Sequence, residues 1–387
     1  MLFMQRNVAY VLLIVMLGLV ALGLVMLSST SAVLAPNDIA GVYSNLRKQL
    51  VWLALGAAAC VFFAVYDYQK LLRWAPWIVG FACLLLALCL VPHIGHMAKG
   101  SARWLRFGGW TYQPSEFAKL ALIIFLSWWM GKNQRHAHEF QRGVLFPLLL
   151  VAPMLFLMIR QQDFGTTAIM LALVISILFC AGTRMLYLIP VPIIGFLGIL
   201  VIASFKPERW ARMTAFWNSA HSTDPKLLEK IWQQNQGLIA LGSGGMTGLG
   251  LGNSRQKMYY LPEVNTDFVF PIIGEELGMI VTLAVVLGFL ILALSSGWIS
   301  IHAPDPSGVL LGTGITVMIA LQALMNFAVV TKLMPCKGIP LPFISYGGSN
   351  LLTCLAAIGI LFNMHRQGIY QPPTTPSLPT KSYSVRM

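Results

Sequence analysis

The sequence predicts an all-α polytopic membrane protein, on two observations: a scarcity of charge, and a succession of apolar runs of spanning length. Of 387 residues, 57% are hydrophobic and only 10% are charged, with a mean hydropathy of +0.73. A soluble domain carries about 25% charged residues, so lipid rather than water must cover most of this chain. Lys and Arg nevertheless outnumber Asp and Glu by 26 to 13. That surplus either faces an anionic leaflet or handles an anionic substrate.

A helix needs about 20 mostly apolar residues to cross the hydrocarbon of a bilayer. Runs that meet or approach this length lie at 8–28, 49–66, 75–92, 115–131, 144–159, 165–182, 186–204, 268–296, 308–330 and 342–363, which makes ten. The first is too long for a signal-peptide core of about 7–15 residues and reads as an uncleaved helix. The run at 144–159 carries Pro147 and Pro153 and predicts a kinked or tilted span. The run at 268–296 is long enough to tilt or to project beyond the bilayer.

Ten spans place both termini on one side. The terminal side holds 10 Lys and Arg and the opposite side 15, with Lys119 inside a span. Seven of the 15 fall in the 205–267 segment, and long loops are exempt from the positive-inside rule. The remaining 10 against 8 leave orientation undecided. Basic residues on the far side are then not topology signals and are available to an anionic ligand. The 205–267 segment, between the seventh and eighth spans, is the one large loop. Residues 1–363 form a single domain, and 364–387, rich in Pro, Ser and Thr, read as a disordered tail.

Six cysteines without metal or disulfide spacing predict neither a zinc site nor a bridge. The glycine-rich stretch Leu241–Asn253 lacks the Gly-Lys-Ser/Thr of a nucleotide loop. Its glycines fit a close backbone approach to a neighbouring helix better than a phosphate cradle.

Ionisable residues in or beside spans are expensive and therefore functional candidates. Glu116 and Lys119 stand three apart at the start of a span, which suits either a structural pair or a substrate role. Asp163 lies in the turn Arg160–Gly165, where it either caps the next helix or joins a site. The densest cluster runs from Lys257 to Phe268, with Glu275 and Glu276 beyond. Thr266 or Asp267 is placed to cap the eighth span. Glu275, eight residues on, lies about 12 Å deeper along a helix, too far for a pair of carboxylates that share one glycosidic bond at about 5–9.5 Å. It is expected to stabilise the bundle. Asp267 is the one well-placed carboxylate, with Glu263 a second candidate.

One carboxylate limits the chemistry. A sugar leaving from a pyrophosphate needs no general acid, because the leaving group is already an anion. It needs one base for the attacking hydroxyl and cations for the departing diphosphate. Asp267 among Arg103, Arg106, Lys119, Arg160, Lys332 and Lys337 supplies that set. Lys337 opens the stretch Lys337–Ser349, whose prolines, glycines and Ser345 fit a broken approach to the tenth span.

Four patterns in order resemble the SEDS family, which comprises FtsW, RodA and SpoVE. They are Gly100-Ser101-Ala102-Arg103-Trp104 with Gln113-Pro114-Ser115-Glu116, then Asp163-Phe164-Gly165-Thr166, then Leu241 through Glu276, and finally Lys337 through Ser349. The resemblance covers nearly the whole chain. It implies a peptidoglycan glycosyltransferase that uses lipid II outside the bacterial inner membrane, with both termini cytoplasmic. By that resemblance Asp267 matches the family's essential aspartate, and a class B penicillin-binding protein and other divisome membrane proteins are the expected partners. No nucleic acid is expected, and no cofactor beyond, at most, a divalent cation. Gly252–Lys257 and Lys337 look like FtsW or SpoVE more than RodA, which favours septal wall synthesis. Asn265 stands where the family usually has histidine, and Gln162 where it has proline.

Two other functions compete. A lipid II flippase should carry ionisable residues near the midplane on broken helices, whereas this sequence places its charges toward one surface. A scaffold for the transpeptidase would not need the basic set.

Overall fold

The computed structural model describes residues 2–34, 39–98, 101–204, 225–258 and 260–370. A helix overlaps each of the ten apolar runs: α1 (Leu2–Leu34), α2 (Ile39–Val65), α4 (Ala75–Leu88), α5 (Pro114–Lys132), α6 (Phe146–Arg160), α7 (Phe164–Cys180), α9 (Pro190–Ser204), α11 (Val269–Ile301), α12 (Pro306–Val330) and α13 (Gly348–Tyr370). Shorter helices α3 (Tyr68–Arg73) and α8 (Met185–Leu188) connect them, and α10 (Pro225–Ser243) lies in the long loop. Among the described residues, six helices are both long and apolar enough to cross a membrane. α1, α2, α11 and α12 each extend beyond the apolar run that predicted them.

The helices pack as a multi-pass bundle with α5 and α12 near its centre. Ala118, Leu122, Ile123 and Leu126 of α5 and Leu311 and Ile315 of α12 are fully buried. At the periphery the apolar residues turn outward. Ile14, Val61, Phe62, Leu283 and Leu294 are all exposed. Such continuous apolar surface needs lipid around it.

Asp67 caps α3, and Gln367 Nε2 donates to its carboxylate at 2.8 Å. The Tyr68 hydroxyl donates to Asp305, which caps α12. These contacts gather the start of α3, the start of α12 and the end of α13 at one end of the bundle. Arg103, Asp163 and Lys337 come together at the other end.

Three features depart from the expected fold. First, three strands, β1 (Gly95–Ala98), β2 (Ser101–Phe107) and β3 (Trp110–Tyr112), form an antiparallel meander, the one sheet among the described residues. Its second turn is Gly108-Gly109, both at positive φ (58° and 115°), the backbone a two-residue hairpin loop demands.

Second, α11 is broken at Gly278 (φ 80°, ψ 179°). The break frees backbone groups that the 245–250 loop satisfies: Leu249 N donates to Glu275 O at 2.9 Å, Gly250 N to Glu276 O at 3.0 Å, and Met279 N to Gly245 O at 2.9 Å. The glycine-rich stretch thus makes the close backbone approach its composition suggested. Third, the segment after 363 continues as helix to Tyr370, which corrects the expectation of a disordered tail from 364. Residues 371–387 and 205–224 lie outside the described residues.

Candidate active site

At the end of the bundle away from Asp305, the β-meander, the α6–α7 turn, the start of α11 and the chain between α12 and α13 come together. Strand alternation sets the first contribution. Ser101, Arg103 and Leu105 share one face of β2, and Ser101 and Leu105 are buried. Arg103 is therefore aimed inward, with its Nε donating to Ser101 Oγ at 2.6 Å. Arg106, on the opposite face, is exposed.

Inward of Arg103 lies Asp163. It is the N-cap of α7, accepting from Thr166 N at 3.4 Å and Thr166 Oγ1 at 2.8 Å. The same carboxylate is also an ion-pair centre. Arg103 Nη1 and Lys337 Nζ each stand 3.4 Å from its Oδ1. Asp163 is thus both the helix cap and the shared partner of two cations. Asp163 is 1% exposed, whereas the Arg103 and Lys337 side chains are 24% and 29% exposed, so the cations form the open rim and the acid the floor. Burial opposes ionisation of Asp163, but Lys337, then Arg103 and the Thr166 donors outweigh it. Its carboxyl is held below the ordinary carboxylate range.

Asp267 comes next to this trio through Gly338, the neighbour of Lys337. A methyl group on Gly338 would collide with the Asp267 carboxylate, and one on Gly165 with the Lys337 side chain. Both glycines are thus sites of close approach. The expected helix cap is not found. Phe268 holds the N-cap position of α11 without a side-chain bond, and Thr266 Oγ1 turns back to Glu263 Oε2 at 2.9 Å.

The other expected site residues divide. Lys119 is only 1% exposed, paired with Glu116 at 2.9 Å and donating to Gln322 Oε1 at 2.7 Å. Glu116 also accepts from Asn350 Nδ2 at 2.6 Å. This is an enclosed, charge-balanced pair that ties α5 to α12 and α13, which corrects its expected place on the substrate surface.

Ser345 is buried too. Its hydroxyl accepts from Leu341 N at 2.8 Å and donates to Thr266 O at 2.5 Å. It fastens the chain before α13 to the chain before α11 and has no exposed hydroxyl to offer a ligand. Lys332, half-buried at φ 59°, donates to Asn235 Oδ1 of α10 at 3.1 Å. Arg160 and Glu263 are exposed at the same end of the bundle, Glu263 at φ 59°.

A second ionic cluster lies beside the break in α11. Lys257 Nζ pairs with Glu276 at 2.6 Å and donates to Ser29 Oγ of α1 at 3.0 Å, all buried. Glu275 accepts from Ser254 Oγ and from Arg255 N at 3.0 Å, pinning the loop to the helix. Glu275 is structural, as its depth suggested. Sequence reasoning missed the Lys257–Glu276 pair because only the break at Gly278, about 14 Å along α11, brings the loop there. This buried pair lies apart from the surface where the charges are expected to cluster.

Fold and site together define a polytopic helical membrane protein with a charge-paired site at one end of its bundle. The chain belongs to the FtsW/RodA/SpoVE family of cell cycle proteins, whose signature matches residues 9–369. It is 37% identical over 354 residues to a protein of Trichlorobacter lovleyi named "Probable peptidoglycan glycosyltransferase FtsW", covering 92% of each chain. It is 38% identical over 359 residues to Stage V sporulation protein E of Bacillus subtilis, covering 93% of this chain and 97% of that one.

Among solved structures, the rod shape determining protein RodA of Thermus thermophilus superposes with a TM-score of 0.65 at 25% identity, over 92% of this chain and 96% of that one. A chain from a structure described as "Structural coordination of polymerization and crosslinking by a peptidoglycan synthase complex" gives 0.67 at 26%, over 92% and 97%.

Proposed function

We propose that this protein is a peptidoglycan glycosyltransferase that polymerises lipid II into glycan strands during septal wall synthesis. The observation that carries the reading is the approach of Asp267, across Gly338, to a trio in which one acid aligns two cations. In this account Asp267 takes the proton from the acceptor sugar hydroxyl. The hydroxyl oxygen then bonds to the donor's anomeric carbon with inversion. The bond from that carbon to the pyrophosphate breaks, and its electron pair leaves with the lipid diphosphate.

Lys337 and Arg103 carry two positive charges against the single charge of Asp163. The surplus stabilises the negative charge that grows on the leaving group. Arg160 and Lys332 extend the basic rim, and Glu263 stands in reserve as an alternative base. Lys119 and Glu116 act from inside the bundle by holding α5, α12 and α13 together.

The proposal places all ten helices across the bacterial inner membrane with both termini in the cytoplasm and the 205–267 segment outside. A class B penicillin-binding protein and other divisome membrane proteins are the proposed partners. The relatives named FtsW and the neighbour from a synthase complex support this reading.

The broken α11 and its buried Lys257–Glu276 pair favour one second reading, transport of lipid II. One experiment separates the two. Purified protein, alone and with its transpeptidase, is given labelled lipid II in detergent, where no membrane has to be crossed. Glycan polymer supports the transferase. No polymer, together with lipid II movement across proteoliposomes, supports the flippase.

A further inference from the structure

We propose that Asn326, on α12, is the positioning residue that fixes Asp267 against the segment carrying Lys337 and Gly338. The inference rests on the reading of Asp267 as the base. Asn326 is 1% exposed and does not reach the open site. Its Nδ2 donates to Asp267 O at 2.8 Å and to Ile339 O at 2.7 Å. A carboxamide nitrogen has two hydrogens, and both are used here, one on each of the two segments that build the site. The assignment of the amide follows from chemistry, because the opposite flip would point its oxygen at two carbonyl oxygens.

The rest of the seam shows what Asn326 adds. Tyr346 N donates to Asn265 O at 2.8 Å, Ser345 Oγ to Thr266 O, and Gln322 Nε2 to Pro340 O at 3.0 Å. Residues 265, 266 and 267 are each fastened in turn, and Asn326 supplies the last bond, at the reacting residue itself. Residues 337–341 are non-helical. Asp267 sits just before the first turn of α11, where its carbonyl would otherwise look for water. Donors from a packed helix hold both to one frame. A reacting group displaced by about 1 Å can lose about 10²-fold in rate, so this clasp acts on turnover rather than on binding.

The test is a double-mutant cycle in the full-length protein with lipid II polymerisation as readout. Asn326→Leu keeps the volume and removes both donors, and Asn326→Ser keeps the site polar with a single shorter donor. The expected result is a fall in kcat of about 10- to 100-fold for Asn326→Leu, with KM for lipid II unchanged, and a smaller fall for Asn326→Ser. Combined with Asp267→Asn, Asn326→Leu should cost less than a further twofold, because it acts only through Asp267.

Full multiplicative loss in the Asp267→Asn background overturns the proposal, as does a rise in KM with kcat intact. If Asn326→Leu does not fold, Asn326→Ser carries the same cycle with the same outcomes. Near wild-type turnover by Asp267→Asn alone overturns the base assignment itself, and the cycle separates that failure from a failure of the clasp.

Discussion

Lys337 is held 3.4 Å from Asp163, across the start of α7, by a residue that also receives Arg103 at the same distance. Two cations that would repel each other are thereby kept side by side and half open. Lys337→Met should raise KM for lipid II by roughly 10-fold, about the worth of one charge-assisted contact, while the protein remains inserted and folded. Arg103→Lys should also impair turnover, because an ammonium cannot grip two oxygens in the way a guanidinium does. Unchanged steady-state kinetics in both variants would remove the cations from the account.

The same trio has a defined pH behaviour. The folded-state pKa of Asp163 is depressed, so its stabilising contribution is fully present above the unfolded value of about 3.9. It is lost only as pH falls through the lower folded value. The difference in melting temperature between wild type and Asp163→Asn should therefore stay constant from about pH 5 to 8 and shrink below about pH 4. A difference that varies across neutral pH would mean that Asp163 is not held ionised by its partners.

Gly338→Ala places a methyl group against the Asp267 carboxylate. The displacement should cost about 10²-fold in polymerisation rate with little change in melting temperature, since Gly338 is exposed and outside the helices. Wild-type activity in Gly338→Ala would show that Asp267 has more room than the structure gives it.

Lys119 is enclosed with Glu116, so its loss should be read in stability first. Lys119→Met removes the cation beside a buried carboxylate that also accepts from Asn350. Removing one member of a buried pair costs about 3–5 kcal/mol. Adding Glu116→Gln should recover most of that, as measured by thermal unfolding in detergent. No recovery in the double variant would return Lys119 to the substrate surface.

These residues show what the sequence could and could not reveal. The helices were legible because a spanning run must be apolar over about 20 residues whatever its neighbours do. The Glu116–Lys119 pair was legible because its spacing is local. The meander was legible in principle, through Gly108-Gly109 between alternating strands, but its short strands are masked by the surrounding hydropathy. The break at Gly278 was not legible, since hydropathy is blind to φ, and the Lys257–Glu276 pair depends on that break. The Asp163 trio and the Asn326 clasp join residues far apart in the chain, and only the packed bundle brings them together.

The central claim is that Asp267 is the general base of glycan polymerisation, and Asp267→Asn tests it most directly. Asparagine keeps the size of the side chain but cannot accept the proton, and a base of this kind contributes about 10²–10⁴-fold in rate. The measurement is glycan polymer formed from labelled lipid II by purified wild type and Asp267→Asn, with lipid II binding measured on the same samples. The account predicts binding near the wild-type value and polymerisation reduced by at least about 10²-fold. Polymerisation at near wild-type rate would contradict it and move the search for the base to Glu263.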